Sequence, residues 1–574
     1  MLGLKRCDPL ISVRVERSLP MTRIPFAFLA AVVLAVPAMA AVPAPTVGSS
    51  NTVTADPPVS RPATTPCVVQ LFSNLAFADF SPKPYTYAPP AACPGPWAKV
   101  VLEADFSVTA GRQFDRTAQI ALGHANIYYG TTAEPSSTVS PSWHVERDLT
   151  DYSPLFRTAQ TGDVNLGNLV DSTYTGIIYG SARVLLYPPG PTAPAPRTPD
   201  VVLPLSTDPG GAALLATTAS VLAPTFTLPT NVEAAYLDII AQSQSNDEFW
   251  YTCVPDDVTG VLFSCGGTAF REVEITIDGQ PAGVAPVYPW IFTGGIDPLL
   301  WRPIPGVQTL NFAPYRVDLT PFAGVLANGH PHQVGVSVYN ADNYFLVAAS
   351  LLLDLDARSS HVTGAVTQNT LTAAPAPVVQ ENLTTAADGT VTGTVTTTSN
   401  RQLTIAGYVN TSHGRVDTTL RQTVSFSNRQ QFTVGTNYIQ DIKQDTEILA
   451  STDSHQGFVT AHTDQHLSYP LTLNYSFTSN ADGSGAQTTT VDQELNSQEA
   501  RLGVGLPFAG LTSNAVKSAD TLLFDATGAI TGFQNRSSSQ TYTALATDGT
   551  CYGRTLTSAS GALTAVTNNP LCGH

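Results

Sequence analysis

Charge is scarce in this 574-residue chain: 12% of residues are Asp, Glu, Lys or Arg, and only 27 are Lys or Arg. With a formal net charge of −17, nothing here could neutralise a run of phosphates, which excludes nucleic acid as a partner. The same scarcity leaves few native ion pairs to lose as carboxylates protonate. It also limits self-repulsion in acid, where only Lys, Arg and the 10 His carry positive charge. Helical periodicity is missing too: outside the N-terminus almost no stretch repeats apolar residues at 3.6-residue spacing over a dozen positions. Long apolar runs are absent after the first forty residues, so no membrane anchor is expected. Methionine occurs only at positions 1, 21 and 39.

What the chain does have is turn-forming residues, with Pro 44 and Gly 42, and abundant Ser and Thr. Short apolar runs bounded by Pro, Gly, Asn and Asp predict an all-β architecture, and the length predicts about three domains. Met21-Thr22-Arg23, the apolar stretch to Ala38 and the small-x-small site Ala38-Met39-Ala40 read as a signal peptide over 1–40, cleaved near Ala40. The mature chain is therefore expected to be secreted or periplasmic. Cys7 leaves with that segment, and the remaining cysteines fall into local pairs: Cys67 with Cys93, Cys253 with Cys265, Cys551 with Cys572. An even count in an exported chain predicts three disulfides and no thiol nucleophile.

Composition divides the rest. Residues 41–66, rich in Ala, Pro and Thr, predict a flexible lead-in. Alternating strands such as Lys99–Phe106 mark a first domain over 67–187, and the proline-dense 188–200 is a linker. A second β region spans 201–360 and contains Val273–Gly279, which ends in an Asp-Gly hairpin turn. After a linker over 361–379, residues 380–574 are rich in Thr, Ser, Gln and Asn, with Asp-Gly turns at 388–389 and 482–483. They predict an elongated β-rich domain with a weaker core.

Two segments interrupt strand-forming sequence with dense, unlike functional groups: Gly111–Arg116, and the stretch from Asn246–Tyr251 to Trp290–Pro303. Asp, Glu, Arg and Trp together suit a carbohydrate site, since aromatic faces pack on sugar rings while carboxylates and guanidinium groups hold hydroxyls. The words in these segments resemble the acidic glycopeptidases of plants and microbes, the PNGase A family. They are GRQFDR at 111–116, TAEP at 132–135, GNLVDSTYTG at 167–176, NDEFWYT at 246–252, FREVEITIDG at 270–279 and PWIFTGGIDPLLWRP at 289–303. A weaker likeness continues through LTIAGYVNTSHG at 403–414.

A fainter resemblance reaches the bacterial PNGase F enzymes, through Phe114-Asp115-Arg116 and LPTNVEAAYL at 228–237. It implies two side-by-side jelly-roll β-sandwiches, here followed by a third β-rich domain. It also implies that Asp115 is the principal catalytic carboxylate, with Arg116 holding its orientation and charge and keeping it ionised. The other essential glutamates of PNGase F do not carry over: Gly167 and Asn168, and Gly267 and Thr268, stand near their places. Glu248 is the first choice for the partner acid, with Asp247 and Asp297 as fallbacks. Trp250, Trp290 and Trp301 are expected to line sugar subsites, with Asp247 and Asp297 among them and Arg302 at the rim. Every one of these residues falls between 111 and 303, so the first two domains are expected to hold the whole site.

The resemblance implies a peptide-N-glycosidase acting on glycopeptides or glycoproteins. Its reaction is hydrolysis of the amide between asparagine and the innermost GlcNAc, including on core α1,3-fucosylated glycans. The alternatives are a glycan-binding protein without catalysis and an endo-acting glycoside hydrolase. No cofactor is called for. His462 and His466 do not sit on a helix and would protonate in acid, and His330-Pro331-His332 reads as a turn, so no metal site is expected.

Overall fold

The computed structural model describes residues 45–503 and 505–572; the expected signal peptide, with its cleavage site, lies outside them. Nearly every element is a β-strand. The first eight are β1 (Cys67–Phe77), β2 (Lys83–Tyr87), β3 (Lys99–Val108), β4 (Thr117–Leu122), β5 (Ala125–Thr131), β6 (Ser142–Asp148), β7 (Gln160–Asn165) and β8 (Ile178–Tyr187). They form two four-stranded sheets, β1-β8-β3-β6 and β2-β7-β4-β5, all pairs antiparallel. Neighbours in each sheet are distant in sequence because the chain folds over as a double-stranded strip, the winding of a jelly roll. Alternation drives the packing: Val100, Leu102, Ala104, Phe106 and Val108 of β3 all enter the space between the sheets.

The same winding recurs with β9 (Val201–Pro204), β10 (Ala212–Leu215), β11 (Thr225–Thr227), β12 (Val232–Gln244), β13 (Glu272–Ile277), β14 (Gln280–Pro286), β15 (Tyr315–Asp318), β16 (Pro331–Tyr339) and β17 (Tyr344–Leu355). One sheet is β10-β17-β12-β15, with β9 continuing the β10 edge along β17; the other is β11-β16-β13-β14. Asp278 and Gly279, both at positive φ, make the two-residue turn between β13 and β14 that the sequence signals. The two jelly rolls meet along β12. Its even-numbered side chains face the first sandwich: Asp238 accepts from Tyr152 Oη at 3.1 Å, Gln242 Oε1 from Tyr129 Oη at 2.6 Å, and Gln244 Nε2 donates to Thr117 Oγ1 at 2.9 Å. These cross-seam hydrogen bonds make the seam specific, although Gln242 Nε2 is buried without a partner.

The C-terminal region is one twelve-stranded antiparallel sheet. Its strands are β18 (Thr363–Asn369), β19 (Val378–Thr385), β20 (Val391–Thr411), β21 (Gly414–Val434), β22 (Tyr438–Gln456), β23 (Val459–Ser468), β24 (Leu471–Ser479), β25 (Gly485–Leu502), β26 (Phe508–Phe524), β27 (Ile530–Ala546), β28 (Cys551–Ala559) and β29 (Ala562–Asn568). Two expectations change here. The stretch 361–379 is not merely a linker, because β18 within it pairs with β20. Nor is the sheet's core a weak one of its own: Leu403, Ile405, Phe426, Ile448 and Leu473 join a single cluster with Val273, Phe312 and Phe345 of the second jelly roll. Buried glutamines and asparagines stitch the two layers. Asn428 Nδ2 donates to Tyr251 O at 2.9 Å, Gln430 Nε2 to Cys253 O at 2.8 Å, and Gln493 Nε2 to Pro289 O at 2.7 Å.

The lead-in is also corrected: residues 45–66 form an extended strap fixed at both ends. Arg61 bridges Glu103 and Glu146 of the first sandwich, both at 2.7 Å. Farther back, Ala55 N donates to Gln540 Oε1 at 2.6 Å, Asp56 accepts from Asn514 and Gln540, and Val53 N donates to Pro303 O at 3.0 Å. Of the expected disulfides, 253–265 and 551–572 are closed, but Cys67 and Cys93 are free thiols beside each other, with Cys93 Sγ donating to Leu186 O at 3.6 Å. The neighbouring Cys93, together with burial, pushes the Cys67 thiol up to about 11, so little thiolate forms to start exchange.

Candidate active site

Asp115 sits in the loop that enters β4, and Glu248 in the turn that leaves β12. Thr117, two residues past Asp115, meets both Gln242 and Gln244 at the end of β12. The seam between the jelly rolls therefore brings a carboxylate from each sandwich to the same edge. Glu134 joins them from the end of β5. Its Oε1 accepts the Asp115 N–H at 3.3 Å, and its Oε2 pairs with Arg302 at 2.8 Å. Reciprocal bonds between Arg116 and Thr132 hold the two loops in register, with Arg116 N donating to Thr132 Oγ1 and Thr132 N to Arg116 O, both at 2.9 Å.

The 290–303 segment closes the site. Thr293 Oγ1 donates to Thr132 O at 2.6 Å, which places the Gly294 N–H 2.9 Å from Asp115 Oδ2. A Cβ at position 294 would press on Glu134 Oε1 and lie 3.1 Å from Asp115 Oδ1, so any larger residue must push the two carboxyls aside. Glu248 makes no side-chain hydrogen bond to any described residue, leaving its carboxyl free for a ligand.

The electrostatics separate the three acids. Burial, and then the Asp115 charge, push Glu134 and Glu248 each up to about 7. Asp115 is itself raised by burial, opposed by the Gly294 N–H and the Arg116 charge. Arg116 thus acts on Asp115 only at a distance: its guanidinium turns to Gln113 Oε1 at 2.8 Å, and its charge does not outweigh desolvation, contrary to the expectation that it holds Asp115 low. The cluster can hold one negative charge on Asp115 and protons on both glutamates, the acid–base division that amide hydrolysis requires.

Of the residues picked from sequence, Asp115, Arg116, Glu248 and Arg302 converge here; the rest are corrected to supporting roles. Asp247 is fully buried against Arg271 at 2.8 Å and accepts the backbone N–H groups of Asp342 and Asn343, which anchors the turn that carries Glu248. Trp250 packs between Tyr251 and Phe426 of β21, and Trp290 stacks on Phe312 at 4.4 Å. Trp301 donates its Nε1–H to Gly295 O at 2.8 Å, bracing the glycine turn. All three indoles are at least 94% buried and present no face to a sugar. Asp297 is buried beside Asp520 of β26.

The aromatic surface at the site comes instead from Phe114, 45% exposed, tilted against Tyr174 at 5.1 Å with Arg112 over the Tyr174 ring. Tyr344, half-buried, lies near the Glu248 carboxyl. Glu134, Gly294 and Tyr174 were missed as site residues, although each lies inside a word quoted above, TAEP, PWIFTGG and GNLVDSTYTG.

Elsewhere, Glu233, Asp356 and His413 offer ligand atoms within 4.8 Å of one another, but Arg197 occupies Glu233 and Ser412 takes both Asp356 oxygens.

An all-β scaffold of paired jelly rolls with carboxylates at their seam defines the class of protein. The profile of the family described as Peptide N-acetyl-beta-D-glucosaminyl asparaginase amidase A matches residues 56–372, and the chain belongs to that family of amidases. It is 29% identical over 490 residues to peptide-N4-(N-acetyl-beta-glucosaminyl)asparagine amidase A of Prunus dulcis, covering 81% of this chain and 83% of that one. Among solved structures, PNGase F of Flavobacterium meningosepticum overlaps 50% of this chain and 96% of its own, with 14% identity and a TM-score of 0.34. PNGF-II overlaps 50% and 65%, at 12% identity and a TM-score of 0.36. Both overlaps are too slight to bear on the site.

Proposed function

We propose that the chain is exported and, in acid, hydrolyses the amide that joins asparagine to the innermost GlcNAc of N-glycans, with Asp115 and Glu248 as the reacting pair. The observation that carries this reading is the convergence of the two acids from separate jelly rolls, both raised by burial, with the Gly294 N–H and the Arg116 charge opposing that shift at Asp115 alone. Asp115, ionised, orients and polarises the attacking water at the amide carbonyl. As the carbon–nitrogen bond breaks, protonated Glu248 donates to the leaving nitrogen. The peptide keeps aspartate, and the glycan leaves as a glycosylamine that loses ammonia. Glu134, tied to Arg302, contributes a second neutral carboxyl that can donate a hydrogen bond to the amide oxygen.

Phe114 and Tyr174 take the place expected of the tryptophans, offering ring faces to the sugar. The substrate is a glycopeptide or glycoprotein, and core α1,3-fucosylated glycans are included, as the family resemblance implies. Export rests on the N-terminal sequence pattern; among the described residues no helix is long and apolar enough to cross a membrane. Incubation with a defined glycopeptide, followed by peptide mass measurement, tests the reading. Amidase action converts the glycosylated asparagine to aspartate; a residual GlcNAc would indicate a glycoside hydrolase, and an unchanged peptide a binding protein.

A further inference from the structure

We propose that the C-terminal sheet belongs to the machinery of amide hydrolysis, with Arg536 and Asp520 as positioning residues that fix the loop from Gly294 to Arg302. The inference rests on reading Asp115, Glu134 and Glu248 as the reacting cluster. That loop serves the cluster at both ends: Gly294 N–H meets Asp115, and the Arg302 guanidinium meets Glu134. It contains no helix or strand, so its shape depends on what holds it. From the sheet, Arg536 of β27 donates through Nε to Leu299 O at 2.9 Å and through a terminal nitrogen to Arg302 O at 2.8 Å. Ser518 of β26 donates to Leu300 O. The backbone of Arg302 is thus pinned by one guanidinium while its own guanidinium holds Glu134.

Asp520 supplies the third contact. It is buried facing Asp297 of the loop, and neither of its oxygens, nor Asp297 Oδ2, meets a hydrogen-bond donor. Asp297 Oδ1 accepts the Leu299 N–H at 2.8 Å, and the remaining oxygens of the two neighbouring carboxyls, which have no other donor, are joined by a proton held between them. The charged and titratable groups facing this pair are Arg302 on the loop, Arg536 on β27 and Tyr475 on β24. Burial and the Asp297 charge push Asp520 up to about 7, so the proton is present in acid and the contact is lost above neutrality. Displacing Arg302 or Gly294 by about an ångström is enough to cost on the order of a hundredfold in rate.

The test is steady-state kinetics on a glycopeptide at pH 5, using the full chain, with circular dichroism and a melting curve for each variant. Arg536→Ala and Asp520→Ala should each lower kcat by about tenfold or more while KM stays within about threefold. Asp520→Asn, whose amide can donate to Asp297, should recover most of the Asp520→Ala loss; a merely structural role would not separate kcat from KM in this way. Asp115→Asn, run in parallel, tests the site itself. If it is inactive while both alanine variants keep wild-type kcat, the positioning role is overturned and the site reading stands. If Asp115→Asn is active, both fall. Should either alanine variant fail to fold, Ser518→Ala, which deletes one hydroxyl, decides: kcat lowered by about threefold at constant KM supports the role, and unchanged kcat overturns it.

Discussion

Asp115 is in the loop before β4, and its chemistry depends on which form its neighbours take. Asp115→Asn preserves shape and removes charge, so glycopeptide binding should persist while kcat falls by about a hundredfold or more. With Glu248 as the proposed proton donor, kcat should decline as pH rises through about 7, a limb that belongs jointly to Glu134 and Glu248. On the acid side it should decline as Asp115 takes up a proton, above the usual aspartate range because of burial. A pH–rate profile that rises through pH 7 to 9 would remove Glu248 as proton donor. Gly294→Ala forces its Cβ against Glu134 and should cut kcat by about tenfold or more without loss of fold, measurable on the same substrate. Asp115 and Glu248, the acids proposed to react, were singled out through the words that carry them, whereas Glu134 in TAEP was passed over and the neighbouring Asp247 serves the fold. The tryptophans could not be placed from sequence, since a core and a sugar site both call for flat apolar rings. Only burial separates Trp290, stacked on Phe312, from Phe114 in the open; Trp301→Ala should therefore cost stability, about 3–5 kcal/mol, rather than raise KM alone.

Strands were the easiest elements to foresee. The alternation in β3 and the Asp278-Gly279 turn are local signals, and the jelly-roll winding follows once each strand must bury one face. What β12 does at the seam is not a local signal: its polar even positions look solvent-facing until Tyr129, Tyr152 and Thr117 arrive from the other sandwich. The Thr-, Ser- and Gln-rich strands after 380 mislead for the same reason, because Asn428, Gln430 and Gln493 are buried as caps for carbonyls of the second jelly roll. Cysteine pairing shows where proximity ends: local spacing finds the right partner for Cys67, but the two thiols rest unjoined beside each other. Alkylation in denaturant should trap Cys67 and Cys93 and leave 253–265 and 551–572 intact. Mild oxidation of the unalkylated protein should join 67 to 93, which by loop closure contributes roughly 3 kcal/mol. Trapping of Cys253, Cys265, Cys551 or Cys572 would contradict the pairing. The C-terminal sheet shares its core with the second jelly roll, so a chain ending at Asp356 should expose that apolar face. It should be insoluble or lack near-UV dichroism; a soluble, active product would refute the shared core.

At the scale of the whole molecule, the same carboxyls that set the chemistry also set how stability depends on pH. Glu134, Glu248 and Asp520 all have folded-state values near 7, well above those of an unfolded chain. For an acid raised on folding, the native state binds the proton more tightly, so the contribution is complete below about pH 4 and is lost as pH rises through 7. His144, raised to about 9 by Asp105 and Glu146, works in the same direction: its contribution is complete below its unfolded value near 6.5 and disappears as pH passes 9. Opposing them, Glu146 is buried yet lowered to about 2 by His144, Arg61 and the Val59 N–H. Its contribution is present above the unfolded value and is lost only as pH falls through 2. These windows meet at about pH 4, the upper end of the raised acids' full contribution and the lower end of that of Glu146, so stability is greatest there. The low charged fraction adds little self-repulsion at the acid end. Melting temperature measured from pH 2 to 10 should therefore peak at about pH 4. It should fall steadily between about pH 4 and 7, where the raised acids are ionised in the unfolded chain but not in the native one, continue more gently to about 9 through His144, and fall below about 4 as Glu146 loses its advantage. In the Asp520→Asn variant the fall between about pH 4 and 7 should be smaller, because one of the three acids no longer titrates. A melting temperature that climbs from pH 5 to pH 8 would mean these carboxyls are ionised in the native protein at neutrality, and that the division of charge among Asp115, Glu134 and Glu248 is not the one derived above.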